Sequence, residues 1–214
     1  MIPIHTIFGI LVAIFALIGS LRGWAKEIIV AFSVVLALFV EHVLLTFVPP
    51  VAIVLSGLSS QAQFYIRVAL FIILTVFGYA SPNLVSQLGA KMVRERFQDL
   101  LLGFFLGLVN GFLVVGTVLS LLAASNYGVP EEMLGQRPKM DEHNQAVLDE
   151  NGNPVMEVVY LPGARGIGGV VPPDSDSTSA NLVAFMPPEL IAKSNAVLYI
   201  AVAAAFVFVI VVFI

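Results

Sequence analysis

The sequence predicts an all-α polytopic membrane protein, with about five transmembrane helices and a small irregular or β-hairpin segment outside the bilayer. Three observations carry that prediction. Of the 214 residues, 59% are hydrophobic and only 11% charged, where a soluble domain carries about 25% charged residues. Long apolar runs recur, several near the roughly 20 residues that a helix needs to cross the hydrocarbon core. The charge is also sorted along the chain. Residues 125–193 hold ten acids and four bases, and the remainder holds four acids and six bases.

The first run, residues 3–21, has no Lys or Arg before it, so it reads as a retained helix and not as a secretory leader. The second, 28–48, is apolar apart from Glu41 and His42. The third, about 64–80, has Arg67 near its start. The fourth, 100–124, carries no charge, and the fifth covers about 191–214. Lys and Arg in short loops set orientation. Arg22 and Lys26 lie between spans one and two, Lys91, Arg94 and Arg96 lie between spans three and four, and the connection 49–63 has no charge. Both basic connections are therefore expected in the cytoplasm. The N-terminus and residues 125–189 are then outside and the C-terminus inside. Three regions result: 1–124 with four helices, 125–189 as a polar segment, and 190–214 as a terminal helix.

Before span four, Leu84, Val85, Leu88, Met92 and Phe97 recur at helical spacing among Lys91, Arg94, Glu95 and Arg96. Either an amphipathic helix lies on the inner leaflet there, or a neighbouring span extends into the cytoplasm. Within 125–189, "VLDENGNPVMEVVY" reads as two short strands around an Asn151-Gly152 turn. The Gly-, Pro- and Ser-rich stretch that follows reads as loop. So small a core fits chain packed on the membrane part better than an independent domain.

Gly19 and Gly23 form a G-x-x-x-G at the end of span one, and Gly103, Gly107 and Gly111 form two in span four. That spacing lets membrane helices approach closely. "GSLRGW" and "GLVNGF" share a further pattern, glycine, then Arg22 or Asn110, then glycine and an aromatic. His5, Glu41, His42 and Arg67 make a candidate intramembrane polar cluster. A Glu41–Arg67 pair, snorkelling to the headgroups, or an ion route are its three readings.

Chemistry is sparse. Without cysteine there are no disulfides or thiolate ligands. "ARGIGG" lacks the Lys of a phosphate loop, and no G-x-S-x-G elbow or metal-ligand spacing occurs. No enzyme activity, metal or cofactor is expected. Nucleic acid is not an expected partner either, for want of a dense basic patch. The bilayer, other membrane proteins or further copies of this chain are.

"GSLRGWAKE" and "RERFQDLLLGFFLGLVNG" resemble two elements of the CvpA (colicin V production protein) family of bacterial membrane proteins. The resemblance covers about residues 4–124. It picks out Gly19, Arg22, Gly23, Lys26 and Glu27, then Arg96, Asp99, Gly103, Gly107 and Gly111. It implies an inner-membrane protein with a role in toxin production or export, or in envelope upkeep. The family supplies no defined molecular activity. This chain departs from it in its small extramembrane segment and its fifth apolar helix. Arg22 is expected to pair with Glu27 or with Asp99. The remaining functional alternatives are an accessory subunit of a larger complex, such as an energy-transducing one, and a channel or transporter using Glu41, His42 and Arg67.

Overall fold

The computed structural model describes residues 3–79, 96–141, 143, 145–174, 177–192 and 194–213. Most of the amphipathic stretch expected before span four, through Glu95, lies outside them. Helix α1 (Ile4–Arg22) and α2 (Trp24–Phe47) are separated by Gly23 alone. Helix α3 (Pro49–Ser56) and α4 (Ser60–Tyr79) follow, then α5 (Arg96–Ala124). The charge-free connection 49–63 is thus partly helical and not a plain loop. Pro49 and Pro50 open α3, where a fixed φ and a missing N–H are tolerated.

Helices α1, α2 and α5 are long and apolar enough to cross a membrane, and α4 contains a shorter apolar stretch, Ser60–Val76. The all-α polytopic class read from the sequence is the observed class. Its centre is α5. Helix α1 packs along α5, and α2 packs on α4 and α5, whereas α1 and α2 touch little despite being joined by one residue. Val30, Val34, Ala37 and Leu38 of α2 meet Phe71 of α4 in an apolar core that Leu113 and Val118 of α5 close. In lipid such contacts stabilise through close packing, because tails are as apolar as the side chains.

Beyond α5, Asn126, Tyr127 and Gly128 all take positive φ (49°, 56° and 67°) and turn the chain sharply back. That turn buries Tyr127 among Phe64, Leu121, Leu122, Val129 and Ala164, so the polar segment sits on the ends of α4 and α5. Strand β1 (Leu134–Pro138) pairs antiparallel with β2 (Met156–Tyr160), Leu134 opposite Tyr160 and Pro138 opposite Met156. The expected hairpin needs correcting here. The Asn151-Gly152 turn is present, but 147–148 contributes only the single bridge Leu148–Pro154, and the real partner of β2 lies upstream. Two apolar residues before the turn are too few for a ladder. Asp149 shapes the turn by accepting from the Asn151 and Asn153 amides (2.8 and 2.9 Å). Those amides, Asn153 first, hold its carboxyl below the usual range.

Short helices α6 (Thr178–Val183) and α7 (Pro187–Ala192) lead into α8 (Asn195–Phe213). Ser177 caps α6, its Oγ accepting from the Ala180 amide at 3.2 Å.

Candidate functional site

The elbow between α1 and α2 gathers most of the residues singled out in the sequence. Gly23 adopts φ +83°, which favours glycine, and a Cβ there would lie 2.8 Å from Asp99 Oδ2. Asp99, in the first turn of α5, accepts from the Trp24 amide (3.3 Å). Helix α2 has no capping side chain of its own, so a carboxylate from another helix answers its N-terminal dipole. Arg22 occupies the last turn of α1, where a cation suits the opposite pole.

Glu27 is only 1% exposed, and each of its carboxylate oxygens has a partner. Arg22 Nη1 donates to Oε1 (2.9 Å), and Asn110 Nδ2 donates to Oε2 (2.7 Å) and to the Glu27 carbonyl (2.8 Å). Asn110 is fully buried. Removing one partner from such a buried ion costs roughly 3–5 kcal/mol. The expected Arg22–Glu27 pair is therefore observed, with Asp99 serving the neighbouring backbone. Lys26 is exposed on the outside of the elbow, and Arg96 opens α5.

Alongside, Gly19 faces the Gly103 carbonyl and lies against Gly107, and a Cβ on Gly111 would meet Phe15 Cβ at 2.8 Å. The glycine spacing of both helices is thus used for one crossing, α1 on α5. Any larger residue would force the backbones apart.

At the other end of α2, Arg67 Nε donates to Glu41 Oε1 at 2.6 Å, and Glu41 is 7% exposed. Both line a cavity of about 290 Å³ with His42, Leu38, Leu45, Thr46, Pro188 and Leu198. His42 Nε2 is buried and has no hydrogen-bond partner among the described residues. His5 does not line that cavity. Its Nδ1 lies 3.0 Å from Ser179 Oγ, which ties α1 to α6. The four-residue cluster is accordingly three residues plus one elsewhere, because α1 packs on α5 and not on α4.

Outside the spans, Tyr127 and Tyr160 meet edge to face at 6.0 Å. Burial pushes the Tyr127 phenol up to about 12 and raises that of Tyr160 as well.

A family model described as Colicin V production protein matches residues 4–137, from α1 into β1. The chain belongs to the colicin V production protein family. It is a membrane protein of a family related to colicin V production, and the resemblance read from the sequence is a membership. Neither the curated proteins nor the solved structures offer a match. The colicin V production match contains the whole elbow and the Glu41–Arg67 pair, and β2 and α6 to α8 lie past its end.

Sequence reading noticed Asn110 only as the counterpart of Arg22 in the shared glycine pattern. The structure brings the two together on one carboxylate. The available signal was physical: an amide in the uncharged span must find a partner away from lipid. Asp99 as a cap for α2 was missed, since capping across 75 residues of chain leaves no local trace.

Proposed function

We propose that this chain is a non-enzymatic scaffold or assembly protein of the bacterial inner membrane, serving toxin production, export or envelope upkeep through protein partners. In this reading the elbow lies in the cytoplasm, the N-terminus and 125–189 outside, and the C-terminus inside. The observation that carries it is the Arg22–Glu27–Asn110 network, in which buried charge fastens three helices together. A second feature supports it. Helix α4 leaves Ile66, Ile73 and Val76 exposed, a face that a partner helix or lipid would cover. The test is extraction of native membranes in mild detergent, size separation and mass spectrometry. Stoichiometric co-migration with a defined complex is expected and makes the chain an accessory subunit. Migration alone overturns the partner-based reading.

One observation favours a second reading, ion or proton transport. Among the described residues His42 Nε2 has no partner, and it lies beside a buried ion pair and a cavity. Flux in liposomes that Glu41→Gln abolishes would establish it, and equal flux in empty liposomes would remove it.

A further inference from the structure

At the end of α1 away from the elbow, a pocket of about 660 Å³ opens between α1 and the glycine-rich loop. Its floor is Ile4 and Ile7 of α1, and Arg165 and Asp174 stand in its polar wall. Neither charge has an ion-pair or hydrogen-bond partner for its side chain among the described residues. Two unpaired charges of opposite sign thus share one pocket with an apolar floor.

The floor continues down the helix. Ile7, Ile10, Ile14, Leu17 and Leu21 recur every three or four residues and are all exposed. Ile7 to Leu17 spans about 15 Å, half of a roughly 30 Å hydrocarbon core. That is the reach of an acyl chain in one leaflet. Gly168 and Gly169, at φ +65° and +77°, line the loop side together with Val170, Val171, Pro172 and Pro173, and a Cβ on either glycine would meet open space.

We propose that this pocket binds the headgroup of a zwitterionic phospholipid of the phosphatidylethanolamine class. Arg165 takes the phosphate, Asp174 the ammonium, and the α1 stripe one acyl chain. Charge complementarity selects this occupant. An anionic lipid would leave Asp174 facing a phosphate uncompensated, and a partner helix would not fill a wall with two unpaired charges. The site rests on the chain being a membrane protein and not on the scaffold reading. Arg165 and Asp174 also lie past the family match, so the site belongs to this chain's own extension.

The test is native mass spectrometry of the full chain in mild detergent, titrated with dioleoyl-phosphatidylethanolamine, dioleoyl-phosphatidylglycerol or free phosphoethanolamine. One phosphatidylethanolamine per chain is expected, held about tenfold more weakly in Arg165→Gln and in Asp174→Asn. Both residues are exposed, and an unchanged elution position verifies folding of each variant. Equal retention of phosphatidylglycerol, or loss in Arg165→Gln alone, would mean a plain anion site and overturn the zwitterion. Competition by free phosphoethanolamine as strong as by the lipid would mean a soluble ligand and overturn the acyl track. Unchanged retention in both variants would mean general annular lipid and overturn the site.

Discussion

Helix α2 carries a buried glutamate near each end, and the two ends treat it differently. At the elbow, Glu27 has an arginine on one oxygen and an amide on the other, and the amide belongs to the central helix. Near the far end, Glu41 has Arg67 on one oxygen, a cavity beside it, and in the wall a His42 nitrogen with no partner among the described residues. The same residue pair is a clamp where a third helix supplies an amide to the second oxygen, and an open, hydratable pair where α2, α4, α7 and α8 leave a cavity beside it. Burial alone does not separate these cases. What separates them is how many donors the surrounding helices supply.

The comparison breaks most readily at the glycine crossing that positions Asn110. Gly19→Leu is expected to separate α1 from α5 at a cost of at least about 3 kcal/mol, seen as loss of folded protein in detergent. Asn110→Leu keeps the crossing but strips one oxygen of Glu27. Thermal unfolding in detergent should register about 3 kcal/mol of lost stability, and Glu27→Leu in the same background should restore part of it. Glu41→Gln is expected to lose only about 1 kcal/mol, since the adjoining cavity can admit water. If Glu41→Gln proved as damaging as Asn110→Leu, the distinction between clamp and open pair would fail.

The smallest expected effect lies outside the membrane. Tyr127 keeps its proton in the folded chain to about pH 12, whereas an unfolded tyrosine releases it near 10. The folded state therefore binds the extra proton in that window, and stability should fall as pH rises from 10 to 12. Absorbance near the phenolate band should show Tyr127 and Tyr160 titrating late among the five tyrosines of the wild type, and the latest part of that phase should vanish in Tyr127→Phe.

Long apolar runs, basic connections and glycine spacing made the helices legible, because lipid requires every backbone group to bond within its own helix. The elements then follow from local composition, as α1, α2 and α5 do. The hairpin was half legible. Its turn is local chemistry around Asp149 and Asn151, but the pairing of β1 with β2 spans some 20 residues, and Tyr160 at its end meets Tyr127 from beyond α5. The elbow was legible as a set of residues and not as a circuit.

By itself, then, the sequence determined that this is a polytopic helical membrane protein, that Gly19, Gly103 and Gly107 suit a close crossing, and that Arg22 has Glu27 within reach. Those follow from hydropathy, side-chain size and separations of a few residues. Only the tertiary structure decided that Asn110 completes the Glu27 carboxylate, that Asp99 caps α2, and that His5 leaves the Glu41–Arg67 cavity for Ser179. Each of these depends on which helices become neighbours. That is settled by the fit of whole helix faces, α1 on α5 and α2 on α4, and no stretch of chain encodes it alone.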